Sequence, residues 1–249
     1  MSYLAHLTFA EVGVLVADGA ILVVPLGSTE QHGAHLPLTT DTDVAQELCE
    51  RLRAARSDIV IAPAVSYGSS GEHSGFAGTL SIGAAVLEHL VLELGRSAGE
   101  TFSRIAFVNG HGGNSAAAAR AVRLLQTEGR DVRLFQPRYR GDAHAGRTET
   151  SMMLALRPES VRRDHAVPGD TRPLTELLPL LRAGGVRAVT ATGVLGDPTG
   201  AGADEGHALL DDVAAAMLDD VTAWAGRTAA RSDACAATVG VASLHGRTE

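Results

Sequence analysis

The sequence predicts an α/β fold: a single-domain, three-layer α/β/α sandwich around a mostly parallel central sheet. Three observations predict it. Short, continuously apolar runs recur along the chain, as in strands buried on both faces. They alternate with longer segments whose apolar residues fall on one helical face. Neither a linker nor an internal repeat interrupts the alternation. Strand–helix–strand order of this kind lays helices on both faces of a parallel sheet. With 249 residues, 45% of them apolar, the chain is long enough to bury such a core.

Each element follows from its residues. Ile21–Leu26 is apolar throughout and stops at Gly27, which predicts the first strand. Asp41 to Arg56 places Val44, Leu48 and Leu52 on one helical face. Ile59 to Ala62, before Pro63, predicts the second strand, and Gly83 to Leu94 the next helix. Ile105 to Val108 predicts a third strand, stopped by Asn109-Gly110; the alanine-rich stretch Ser115 to Thr127 predicts a helix. Val132 to Phe135 predicts a fourth strand, Thr148 to Leu156 a helix ahead of Pro158, and Asp204 to Trp224 a last long helix. Residues 1–226 are expected to form the domain and residues 227–249, small and polar-rich, a loose tail. The glycine-rich segments 66–78 and 193–206 are long for plain connections, and long loops in a compact domain tend to be functional.

Composition narrows the function. All 21 basic residues are arginine, so Schiff-base chemistry, a lysine base and a Walker-type lysine are excluded. The formal charge of −8 argues against a nucleic-acid binder. Cys49 and Cys235 form no CxxC and no disulfide framework. The N-terminal stretch lacks the pattern of a secretory signal, and no apolar run reaches membrane-spanning length. A soluble, cytoplasmic protein is the expectation, with no nucleic-acid or membrane partner.

Open parallel sheets gather ligands beyond the carboxyl ends of their strands. Three polar clusters fall there. Glu30 and His32 follow the first strand, two residues apart, so an extended backbone turns both to one side. A carboxylate and an imidazole together suit a borderline divalent metal. Asp41, with two oxygens able to bridge two ions, lies 11 residues after Glu30. Its ordinary reading is a helix N-cap, and Asp43 shares that reading. His111 follows the third strand among glycines that let backbone approach a ligand. The same turn also fits a phosphate-binding helix N-terminus, or a lipase-type oxyanion loop serving a serine. The one G-x-S-x-G, Gly95 to Gly99 around Ser97, follows a helical pattern and lacks the strand–turn–helix context of a nucleophile elbow. After the fourth strand, His144 is expected in a loop and Glu149 in a first helical turn, where a carboxylate also complements the helix dipole. Glu72 and His73 either line the pocket or hold a capped turn. Ten histidines against two cysteines favour a histidine–carboxylate site over a thiolate one. These residues by themselves predict a metal-dependent hydrolase.

The stretches PLGSTEQHGAHLPLTTD (25–41), GEHSGFAGTLSI (71–82), VNGHGGNS (108–115) and DAHAGRTETS (142–151) resemble the creatininase family of metal-dependent amidohydrolases, in that family's order. The resemblance implies a compact α/β/α fold, a dinuclear centre of divalent Zn, Fe or Mn, and a closed homo-oligomer, hexameric or larger. Carried over, Glu30, Asp41 and His111 match the ligands of one metal. His32 and Asp41 match ligands of the other, with Asp41 bridging, and His144 matches the catalytic acid/base histidine. Creatinine-hydrolysing members carry a glutamate where this chain has Gly113; in the HGGN members that this chain resembles, the glutamate of the ETS block, here Glu149, can complete the second metal. Creatinine hydrolases also close the pocket with loop tryptophans, whereas Trp224, in the last predicted helix, is this chain's one tryptophan. The segment GVLGDPTGAGADEG (193–206), with HAGRTETS, resembles the subgroup acting in mycofactocin biosynthesis, peptidases that release a C-terminal Val-Tyr dipeptide from a modified precursor peptide. The alternative is a family hydrolase of another small amide: a cyclic amide, a creatinine-like compound or a formamide. Arg147 is a candidate to pair with a substrate carboxylate, although a surface arginine is its ordinary reading.

Overall fold

The computed structural model describes residues 3–139 and 141–242, without the side chains beyond residue 226. Strands β1 (Ile21–Leu26), β2 (Ile59–Ile61), β3 (Arg104–Asn109) and β4 (Asp131–Phe135) pair in the order β2-β1-β3-β4. All three pairings are parallel, and Ile21 lies opposite both Ile59 and Arg104. Every residue of β1 and β2 is buried, which is why these strands read as unbroken apolar runs.

Successive strand residues point to opposite faces and build two cores. On one face Ile21, Val23, Ile59, Ala106 and Val108 pack with apolar residues of α2 (Thr40–Ala55), α5 (Arg147–Leu156) and α7 (Ala203–Ala242). Trp224 of α7 is buried there and donates its indole N–H to Asp131 at 2.6 Å. On the other face Leu22, Val24, Ile105 and Phe107 meet α3 (Gly83–Ala98) and α4 (Ser115–Thr127) through Leu87, Val91, Ala118 and Leu125. The predicted α/β/α layering follows, with a sheet that is wholly parallel among the described residues.

Two helices lie outside the predicted set. The first, α1 (Phe9–Ala17), starts with a reciprocal capping box between Thr8 and Glu11. The second, α6 (Leu174–Gly184), begins after Pro173 and carries Pro179; its buried Leu177 packs with Val186 and Leu195. Ser97 sits in the last turn of α3, away from any strand-to-helix elbow. The last helix extends to Ala242, past the predicted end at Trp224. The expected tail 227–249 is described only as the backbone of that helix, and residues 243–249 lie outside the described residues. No described helix is long and apolar enough to cross a membrane.

Topology positions the site. From β1 the chain crosses to β2 on one side, then returns past β1 to β3 on the other. Strand order therefore reverses between β1 and β3, where doubly wound sheets hold ligands. Leu26 and Asn109 are the last partners in that register, and Gly110 N–H donates to the Leu26 carbonyl at 2.8 Å. The loops carrying Glu30 and His111 thus leave the sheet side by side.

Candidate metal centre

Asp41 is the centre of the cluster. It lies in the first turn of α2, whose N-cap is Thr39, so the capping role is not its own. Its side chain turns inward instead and is 4% exposed. Oδ1 lies 3.2 Å from His32 Nε2, and Oδ2 lies 3.1 Å from His111 Nδ1. Ser28 Oγ donates to Oδ2 at 2.6 Å. One carboxylate therefore faces two imidazoles, one from each loop at the switch point.

Glu30 completes the group from the other side. Its Oε2 lies 3.2 Å from His111 Nε2, while Oε1 lies 3.4 Å from His73 Nε2 and 3.7 Å from His144 Nδ1. Glu149, in the first turn of α5, places Oε2 3.8 Å from His32 Nε2 and accepts the Ala145 N–H at 2.6 Å. Ala145, between His144 and Glu149, holds φ at +50°, the left-handed turn that brings both side chains back to the cluster. Among the described residues, three sets have ligand atoms within 4.8 Å of one another: Glu30–Asp41–His111, His32–His144–Glu149 and Glu30–His73–His144. All six sequence-predicted site residues are thus brought together.

Protons on the histidines follow from their carbonyl partners. His32 Nδ1 donates to the Glu30 carbonyl at 3.1 Å, His111 Nε2 to that of Ser69 at 2.9 Å, and His144 Nε2 to that of Gln31 at 2.8 Å. In each neutral ring the opposite nitrogen is then bare, the arrangement that metal-ligating histidines adopt. Glu30 Oε2 is buried with no hydrogen-bond partner among the described residues. A buried carboxylate oxygen without a donor is costly unless a ligand or cation satisfies it. The donor set, oxygen and imidazole nitrogen without thiolate, fits Mn, Fe or Zn.

Charges in the cluster are strongly coupled. Burial works against a charged His32, yet Asp41 beside it carries its pKa up to about 10; His111, buried and paired with the same carboxylate, also reaches about 10. Burial would raise Asp41, but the two imidazoles hold it well below the usual carboxylate range. Burial and then Asp41 push Glu30 up to about 8, and burial raises Glu149. Burial and the neighbouring His32 hold His144 well below its ordinary value, and His73 is lowered to about 3 for the same two causes.

Both long glycine-rich segments serve the cluster. In 66–78, the Ser69 carbonyl fixes His111 and His73 reaches Glu30. In 193–206, Leu195 exchanges backbone hydrogen bonds with His144, pinning it. Gly113 has a physical reason to lack a side chain: a Cβ there would collide with the Ser69 carbonyl and with Glu72 and His111. Arg147 is half exposed, and its Nε donates to both oxygens of Glu205, at 3.0 and 2.8 Å.

Several functional positions were not singled out from sequence. Ser28 anchors Asp41, and Gln31 touches both His73 and His144. Tyr139 lines a cavity of about 390 Å³ beside His111 and Glu149, and its buried hydroxyl has no hydrogen-bond partner among the described residues. Burial raises its pKa, so it remains a donor. Gln31 is visible inside the STEQHG stretch, but nothing in the spacing separates its role from that of its neighbours.

Fold and site together define the class: an α/β/α metal-dependent hydrolase with its centre at the topological switch point. A family model described as creatininase, creatinine amidohydrolase, matches residues 5–221. The mycofactocin precursor peptide peptidase of Mycolicibacterium smegmatis is 51% identical over 212 residues, covering 82% of this chain and 85% of that protein. A solved manganese creatininase superimposes with a TM-score of 0.77 at 26% identity, covering 88% of this chain and 97% of that one. A mutant creatininase of Zn-Zn type gives 0.75 at 26% identity, covering 88% and 96%. The chain belongs to the creatininase family.

Proposed function

We propose that this protein is a dinuclear metal-dependent peptidase that releases a C-terminal Val-Tyr dipeptide from the modified mycofactocin precursor peptide. The observation that carries the catalytic part is the convergence of two imidazoles on the two oxygens of buried Asp41, beside Glu30 Oε2, which has no hydrogen-bond partner among the described residues. The 51% identical peptidase supports the substrate.

Glu30, Asp41 and His111 would hold one ion; His32, Asp41 and Glu149 would hold the other. Divalent ions there would supply Lewis acidity toward the amide carbonyl and a water acidified to a pKa of about 7. The chain's own groups do the rest. His144, held by the Gln31 carbonyl at Nε2, presents Nδ1 to the site. Kept neutral by burial, Nδ1 takes a proton from the attacking water and returns it to the departing amine nitrogen, which cannot leave as an anion. The Tyr139 hydroxyl and the N–H groups of Gly112 and Gly113 are the donors for the developing oxyanion. The adjoining cavity of about 390 Å³ falls within the range of roughly 300–1,000 Å³ typical of small-ligand pockets. The reading extends to a cytoplasmic homo-oligomer, hexameric or larger, as the resemblance to the creatininase family implies.

The test is direct. Protein purified without chelator is analysed for metal and given a peptide ending in Val-Tyr, with creatinine in parallel. Release of Val-Tyr at about two ions per chain, lost on chelation and restored by Mn, Zn or Fe, is expected. Hydrolysis of creatinine but not the peptide overturns the substrate. Release that survives complete metal removal overturns the centre.

A further inference from the structure

Of the four histidines in the cluster, His73 differs from the rest. His32, His111 and His144 each donate one ring N–H to a backbone carbonyl, which leaves the other nitrogen to face the cluster. His73 has a side-chain partner instead, the amide of Gln31.

The Gln31 amide has only one orientation. Its Oε1 accepts the Gly33 N–H at 2.8 Å, and a backbone N–H can only donate. Its Nε2 donates to the Gly193 carbonyl at 3.0 Å, and a carbonyl can only accept. The second N–H therefore points at His73 Nδ1, 2.8 Å away, which must receive it as a lone pair. His144 Nε2 lies 3.1 Å from the same amide nitrogen, but that ring nitrogen already donates to the Gln31 carbonyl. The proton of neutral His73 is thus on Nε2, which lies 3.4 Å from Glu30 Oε1. Gly193, at φ +79°, makes the packing possible, since a Cβ there would collide with the Gln31 amide.

We infer that Gln31 is a positioning residue that fixes His73 as the Nε2–H tautomer, so that His73 orients the Glu30 carboxylate as a hydrogen-bond donor and is not itself a metal ligand. The inference rests on the metal-centre reading above. By distance alone Glu30, His73 and His144 form a third metal-type group. A proton on His73 Nε2 removes the lone pair that such a site needs. Donation to Oε1 would leave Oε2, which has no hydrogen-bond partner among the described residues, as the oxygen available to an ion. Ligating carboxylates are commonly oriented by such outer hydrogen bonds.

The experiment reads proton positions. Protein labelled with ¹⁵N-histidine and loaded with zinc is examined by long-range ¹H–¹⁵N correlation, with His73 assigned by the signals lost in His73→Gln. The unaltered protein is expected to show His73 protonated at Nε2 and to retain no third zinc. In Gln31→Glu the carboxylate accepts where the amide donated, so the His73 proton moves to Nδ1. His144 keeps its Nε2–H there, because its partner is backbone. Activity toward the Val-Tyr peptide falls in kcat/KM by about 10–100-fold, the usual cost of losing an outer partner of a metal site. A proton on His73 Nδ1 in the unaltered protein, or a third zinc lost in His73→Gln, overturns the inference even if Gln31→Glu does not fold. An unmoved tautomer in folded Gln31→Glu overturns it as well. Inactivity of the unaltered protein toward the peptide would sink the peptidase reading and leave the tautomer result standing.

Discussion

Asp41→Asn is the sharpest perturbation of the centre, because it changes charge and leaves shape almost untouched. The carboxylate touches three groups: His32 at 3.2 Å, His111 at 3.1 Å and Ser28 at 2.6 Å. An amide can keep one oxygen for Ser28 and the His111 side. Its NH₂ then faces His32 Nε2 and cannot bridge. Disturbing an outer partner of a metal site costs about 10–100-fold in affinity, and a residue that ligates both ions should cost more. The variant is therefore expected to hold one ion or none per chain in elemental analysis. In metal-free protein the same change breaks a buried charge group, worth about 3–5 kcal/mol. The low end applies, since the amide keeps one hydrogen bond and both imidazoles can shed their protons. At roughly 2–4 °C per kcal/mol for a domain of this size, Tm should fall by about 6–12 °C. Differential scanning fluorimetry of chelated protein measures it. Two ions bound with unaltered affinity in Asp41→Asn would refute the bridge.

Two further predictions rest on the same geometry. His144→Gln should keep its metal while kcat falls by about 10²–10⁴, the usual contribution of a general acid–base group; loss of an ion would make His144 a ligand instead. Metal uptake should release protons, because His32 and His111 sit at about 10 and Glu30 at about 8 in the ion-free cluster. The sign follows: the raised imidazoles stabilise the metal-free fold fully below about 6.5 and lose that contribution as pH rises through about 10. The depressed Asp41 contributes above its usual carboxylate value and loses its contribution as pH falls through its lower folded value. Chelated Tm should therefore decline from pH 6.5 to 9 while metal affinity rises, and titration calorimetry in buffers of different ionisation enthalpy should count the protons. No protons released at pH 7 would contradict the paired cluster.

What the sequence reveals of this site depends on how far apart the cooperating atoms are along the chain. Every strand was legible, because β1 and β2 are apolar on both faces and β3 ends at the glycine of the NGH turn. The α1 helix was missed although Thr8 and Glu11 have capping-box spacing. Pro179 breaks the regularity of α6. Glu30 and His32 could be paired locally, two residues apart. Asp41 could be read bottom-up as a bridging carboxylate or, more ordinarily, as a cap, and the choice stayed open because its inward turn depends on Ser28 and on His111, 70 residues away. The family resemblance supplied that link; in the structure, register supplies it, by setting Leu26 beside Asn109. His73 lay beyond both routes. A histidine in a glycine-rich turn carries no sign of its partner 42 residues upstream, and even the folded ligand distances place it among metal-type groups. Only the chain of obligate donors and acceptors, from Gly33 through Gln31 to Gly193, says which nitrogen holds the proton. Distance identifies which side chains meet at this centre, and hydrogen-bond bookkeeping separates those able to ligate from those that orient the ligands.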